Sequence, residues 1–221
     1  MTNIAQHIQE LQASLPKGVT LVAVSKFHPA EALQEAYDAG QRVFGESRAQ
    51  ELVAKAKVLP KDIEWHFIGP LQSNKVKDIA PFIHLIHSID SLKLLQEVNK
   101  QAAKHGRSVR VLLEIHVAAE ETKHGFGIEE CRELVRHLPE LPNVRISGIM
   151  GMATQTDDER QIRQEFHTLH QLFAELKATT FKDSEDFTIL SMGMSHDYRL
   201  AVEEGSTMVR VGTYIFGERE Y

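Results

Sequence analysis

A chain of 221 residues with a single cysteine, Cys131, has no disulfide framework to build on. Cys131 falls in the helical pattern Ile128, Cys131, Leu134, Val135 and Leu138, where a small buried hydrophobe fits, and a reducing, cytoplasmic setting is expected. Positive charge is not in surplus: Lys and Arg number 25 against 31 Asp and Glu, a net charge of -6. Without a basic footprint, a nucleic-acid backbone is excluded as the main partner. No apolar run approaches the length of a membrane span, and the stretch from Met1 to Leu15 carries a helical stripe (Ile4, Ile8, Leu11, Leu15) rather than a signal peptide.

Other absences narrow the field further. No linker, composition shift or low-complexity segment marks a boundary, so one domain over residues 1–221 is expected, and a monomer with it. His84 and His87 flank a strand and His167 and His170 share a helix, but no carboxylate completes a ligand set by spacing, so no metal is expected. Ser191, Ser195 and Cys131 form no nucleophile triad.

What is present is a repeated strand-to-helix grammar, with 42% hydrophobic residues to bury one sizeable core. Behind the N-terminal helix, strands are expected at 19–25, 42–45, 63–69, 82–89, 109–117, 144–150, 187–192 and 207–211. Pro29 opens a helix that Gly40 stops, Asp90 or Ser91 caps another, and Ile162, Phe166, Leu169, Phe173 and Leu176 stripe a long one. Eight strands alternating with helices in this length give an α/β fold: a single (β/α)8 TIM-type barrel with an extra N-terminal helix.

In such barrels the chemistry sits at the C-terminal ends of the strands, and the turns after strands seven and eight hold phosphate. Ser195 precedes Asp197 and an amphipathic run to Glu204, and so reads as an N-cap; Gly212 and Thr213 follow a buried strand where glycine lets the backbone approach an anion. Either is an ordinary turn alone; together they make a cradle. Arg210, within Met208–Val211, needs a partner, either a structural carboxylate or a ligand. Lys26 ends strand one, next to strand eight once the barrel closes, and a phosphorylated aldehyde would bridge amine and cradle. A barrel that binds a sugar or nucleotide phosphate, with Lys26 as counter-charge, stays open.

The segments LVAVSKFHP, FGESRAQE, EWHFIGPLQSNK, HSIDS, GIMGMA, LSMGMS and GSTMVRVGTYIFGEREY, in order from Val19 to Tyr221, resemble the pyridoxal phosphate homeostasis proteins, the YggS-type family. That family is similar in fold to the barrel domain of alanine racemase. The resemblance implies that Lys26 forms an internal aldimine with pyridoxal 5'-phosphate, that Ser195, Gly212 and Thr213 hold the phosphate, and that Arg210 faces the pyridine nitrogen. It further implies that Met150, Gly193 and Met194 line the ring pocket. Two positions depart from the pattern: Ser47 stands where asparagine is frequent, and so does His116.

An arginine at the ring nitrogen weakens the electron sink, and a racemase needs a second acid or base that its other domain supplies. His66, Tyr214 and His196 are the candidates here, and the sequence runs to Tyr221 without a second domain. A cofactor carrier for storage, buffering or delivery, with recipient apo-enzymes as partners, is therefore favoured over a small racemase or lyase. The loop Gly69–Lys75 reads either as a helix entry capped by Ser73 or as the border of the pocket mouth.

Overall fold

The protein, described here from a computed structural model, is defined for residues 3–119 and 124–218. Met1, where the first helix was expected to start, and the last three residues of the closing motif lie outside the described residues. After α1 (Ile4–Ser14), whose cap Asn3 accepts from the Gln6 amide, β1 (Thr20–Val24) leads to α2 (Ala30–Asp38). Next come β2 (Val43–Glu46), α3 (Ala49–Val58) and β3 (Glu64–Phe67), then a single 3-10 turn (Ser73–Lys75) running into α4 (Val76–Ile79). The pairs β4 (Leu85–Ile89) and α5 (Leu92–Lys104), β5 (Val109–His116) and α6 (Ile128–Arg136), and β6 (Val144–Met152) and α7 (Glu159–Ala178) follow. The last are β7 (Ile189–Ser191) with α8 (Tyr198–Glu203), and β8 (Met208–Val211) with α9 (Thr213–Phe216).

The eight strands are parallel and close in chain order, β8 pairing back onto β1 with Val22 opposite Arg210 and Ala23 opposite Val211. Alternate strand residues point in and out. The outward set packs under the helices in one large apolar cluster; inside the barrel, Val22, Leu85, Leu112, Met150, Ile189 and Met208 form a second, smaller one. The interior is unusually polar for a filled barrel. His66, His87, Glu114, Ser191 and Arg210 face inward and are all buried.

Most strands are shorter than expected by one to three residues at an end, and two run past their expected C-terminal ends. β2 runs one residue further, to Glu46, and β6 two further, to Met152, because β5 stays paired alongside as far as His116. Gly148 sits at φ 152°, and a Cβ there would fall 1.7 Å from the Ile189 carbonyl oxygen, so at the first of its pairings with β7 strand β6 requires a glycine. Among the described residues no helix is long and apolar enough to cross a membrane.

Candidate cofactor site at the C-terminal mouth

A cavity of about 370 Å³ opens at the C-terminal ends of the strands, a size suited to a small ligand. Lys26, Met194, Ser195, Arg210, Gly212 and Thr213 all line it. Lys26 is half-buried, two residues past the end of β1, and the backbone on each side of it is anchored. The Ser25 carbonyl accepts from Lys55 Nζ at 2.8 Å, and the Phe27 amide donates to Glu51 Oε1 at 2.7 Å. Phe27 itself has φ 68°, the only non-glycine residue at positive φ among the described residues, and the Arg48 guanidinium lies 4.6 Å from its ring centroid.

Behind that turn is a buried ion cluster. Lys55 Nζ lies 2.7 Å from both Glu46 Oε1 and Glu51 Oε1, and Ser25 Oγ donates to Glu46 at 2.6 Å. Burial pushes the Glu46 carboxyl up to about 6, with Lys55 pulling the other way. Lys55 comes from the middle of a helix pattern that looks like an ordinary solvated face in sequence.

The two expected turns do meet, although not through a helix cap. α8 starts at Tyr198 with Asp197 in the cap position, and Asp197 Oδ1 accepts from the Met194 amide at 2.5 Å. Ser195 Oγ instead accepts from the Gly212 amide at 3.1 Å, joining the turn after β7 to the turn after β8. A Cβ on Gly212 would meet the Val24 carbonyl oxygen at 2.9 Å, so glycine lets this turn sit against the end of β1. The Thr213 and Tyr214 amides open α9 and reach no backbone carbonyl of the described residues, as at any helix start.

Arg210 is buried, with Nη1 donating to Ser191 Oγ at 2.6 Å and Nη2 to the Gly151 carbonyl at 3.0 Å. Its partners are thus neutral; the structural carboxylate the sequence left open is not bonded to it. Burial lowers it to about 10, with Asp197 and Glu114 acting against the shift, so it stays protonated at neutral pH. Glu114 is pushed up to about 7 by burial and by Asp90. From Ser191 a chain runs inward: His87 Nδ1 lies 3.1 Å from Ser191 Oγ, and His87 Nε2 lies 2.9 Å from His66 Nδ1. Burial holds both imidazoles well below the ordinary histidine range, so both are neutral.

Two of the expected ring-pocket residues are placed differently. Met150 is register-paired with Glu114 and Ser191 and belongs to the inner apolar cluster, one layer below the cavity; Met152, at the end of the longer β6, lines it instead. Gly193 lies beside the cavity rather than on its wall, at φ 96°, where a Cβ would fall 2.6 Å from that of Ala201. Its carbonyl accepts from the Arg210 amide at 2.9 Å. His28, Ile68, Ala153 and Gln155 are further lining residues with no local sequence signal.

Of the three candidate acids, His196 lines the cavity, His66 is buried deep in the barrel, and Tyr214 donates to Glu10 Oε2 at 3.0 Å. Ile68 brings the Gly69–Lys75 loop to the cavity edge, but none of that loop's residues is part of its lining. Ser73 makes no cap bond, since the segment enters as a 3-10 turn with Gln72 ahead of it. Ser47 packs on Gly69, where a Cβ would lie 2.7 Å from the Ser47 carbonyl oxygen, and His116 Nε2 lies 2.9 Å from the Ala118 carbonyl.

A parallel barrel with a lysine after β1 and a bonded turn pair after β7 and β8, all lining one cavity, defines a class. The family model described as the alanine racemase N-terminal domain matches residues 1–220. A pyridoxal phosphate homeostasis protein of Aquifex aeolicus is 40% identical over 225 residues, covering 100% of this chain and 97% of that one. PipY of Synechococcus elongatus, solved without pyridoxal phosphate, superposes with a TM-score of 0.90 at 40% identity, over 97% of this chain and 100% of that one. The same protein with pyridoxal phosphate bound gives 0.88 at 39% identity, with the same coverage. The chain belongs to the alanine racemase N-terminal domain family and, within it, to the pyridoxal phosphate homeostasis proteins.

Proposed function

We propose that this chain binds pyridoxal 5'-phosphate in the mouth cavity and serves intracellular homeostasis of that cofactor by storage, buffering or delivery, without strong catalysis of its own. One observation carries the reading: a lysine with its backbone pinned on both sides and the bonded pair Ser195–Gly212 line the same cavity. The residues fit the group. Ser195, Gly212 and the opening amides of α9 would take its phosphate, and Met194 and Met152 would flank its ring. Arg210 would meet the ring nitrogen as a donor that keeps its proton, and Lys26 would be the covalent attachment point. When bound, the cofactor supplies an electrophilic aldehyde; the chain supplies the amine, the anion cradle and a fixed positive charge.

A carrier needs to hold its cargo without processing it. A protonated Arg210, tied to two neutral partners, does not give the ring nitrogen a proton, and this disfavours carbanion chemistry. Within this reading the protein works as a cytoplasmic monomer and its recipients are apo-enzymes that use the cofactor. His196 at the cavity favours a second reading, a small racemase or lyase, since it alone of the three candidate acids reaches the ligand space.

Titration of the cofactor-free protein with pyridoxal phosphate, followed by absorbance, borohydride trapping and peptide mapping, tests the first reading. A single trapped adduct on Lys26, lost in Lys26→Ala, is expected; its absence, with the protein remaining colourless, would favour a site for an ordinary phosphate ester. A panel of amino acids tests the second: turnover at about 1 s⁻¹ or faster, abolished by His196→Ala, would make the protein an enzyme.

A further inference from the structure

The opposite, N-terminal rim of the barrel carries a cluster that the cofactor reading does not use. Glu64 is the first residue of β3, His66 lies two residues along it on the same face, and His84 immediately precedes β4. One potential ligand atom from each lies within 4.8 Å of the other two. His84 Nε2 is 3.4 Å from Glu64 Oε2, the separation of two ligands sharing a tetrahedral ion with bonds of about 2.0–2.1 Å. His66 is 2% exposed, and its Nε2 has no hydrogen-bond partner among the described residues, although its Nδ1 is engaged by His87.

We propose that Glu64, His66 and His84 form a site for one divalent transition-metal ion of the zinc class. Two imidazoles and a carboxylate are a borderline-soft donor set that suits zinc better than magnesium or calcium, and three protein ligands leave the fourth position to water. His66 Nε2 is the inner ligand. That assignment fixes its tautomer: Nδ1–H donates to His87 Nε2, and His87 Nδ1–H donates to Ser191 Oγ, which also accepts from Arg210. Metal-bound imidazoles regularly place their second nitrogen in such a bond.

The surrounding charges set the terms. Burial lowers the proton affinity of both His66 and His84, which keeps their lone pairs available at neutral pH. Arg110 acts on both and Arg107 on His84, each against a bound cation; Arg110 Nε is directed to Ser147 Oγ, and Arg107 donates to the Ala80 and Ile83 carbonyls. Glu64 supplies the compensating negative charge, so affinity depends on the carboxylate. Glu64 and His84 are both part-exposed, with side chains 47% and 37% accessible, so an ion can enter from solvent and the two side chains can close on it.

Zinc titration of the full, metal-stripped and tag-free chain against a competing chelating dye reads the affinity. One equivalent is expected to bind, weakened tenfold or more in His84→Ala and in Glu64→Gln, and unchanged in His167→Ala, an exposed histidine on α7. Histidine-ring NMR is expected to place the zinc-induced shift on His66 Nε2, which avoids substituting a buried residue. Equal affinity in the wild type and both rim variants, or a His66 ring unmoved by zinc, would overturn the proposal.

Discussion

The Gly212 amide donates to the Ser195 hydroxyl at 3.1 Å, across 17 residues of sequence, and this bond joins the turns after β7 and β8 into one surface at the cavity. Ser195→Ala would leave that amide without its acceptor and, in the proposed binding mode, remove a phosphate contact. A net hydrogen bond of about 1–1.5 kcal/mol translates into roughly tenfold weaker binding of pyridoxal phosphate. Unphosphorylated pyridoxal is expected to bind both proteins alike, and parallel titrations of the two ligands would reveal an equal loss if Ser195 acted otherwise.

Gly193→Ala meets two obstacles at once: φ of 96°, and a Cβ that would lie 2.6 Å from Ala201 Cβ and 2.9 Å from Tyr198 Cα. The expected destabilisation is about 2–4 kcal/mol, because α8 must shift against β7 and the Gly193 carbonyl is the acceptor for the Arg210 amide. Urea unfolding measures it. A change below about 0.5 kcal/mol would mean that the turn relaxes freely.

Lys55→Met removes the cation between Glu46 and Glu51 and the donor to the Ser25 carbonyl. Breaking one side of a buried pair costs about 3–5 kcal/mol. Adding Glu46→Gln should recover part of that loss, since Gln carries no unpaired charge. With the turn loosened, capture of pyridoxal phosphate at Lys26 is expected to slow, which stopped-flow absorbance would detect; an unaltered rate would show that the turn is held by other contacts.

The pH dependence of stability should carry the mark of Glu114. Its carboxyl is raised from 4.5 to about 7 on folding, so the folded chain holds this proton more tightly than the unfolded one. The associated stability is complete below pH 4.5 and is lost as pH rises through 7, by up to roughly 3 kcal/mol. Glu114→Gln, which mimics the protonated side chain, should therefore gain stability relative to wild type between pH 5 and pH 8, on the order of that amount. Unfolding midpoints at the two pH values decide it: parallel curves would refute the assignment.

The barrel and the mouth were legible in the sequence because both rest on local pattern. Apolar runs of strand length, Pro29 and Gly40 around a helix, and glycine or serine in the turns at 193–195 and 212–213 act over a few residues. Those signals sufficed to put Lys26, Ser195, Arg210, Gly212 and Thr213 at one end of one barrel; Met194 came from the family resemblance. What they did not contain was register. Two extra residues on β6 put Met152 in the cavity and Met150 a layer below it, and no composition rule locates a strand end that closely.

Only the closed structure decided which polar side chains meet. Lys55 reaches Ser25 across 30 residues, His87 reaches Ser191 across 104, and Glu64 and His66 of β3 meet His84 just ahead of β4. Such partners are set by the shear and closure of the barrel, and by the cost of leaving a buried charge or imidazole without a neighbour. Sequence spacing fixes which way a side chain points along its own strand; its partner across the interior is chosen by geometry that exists only after the last strand has paired with the first.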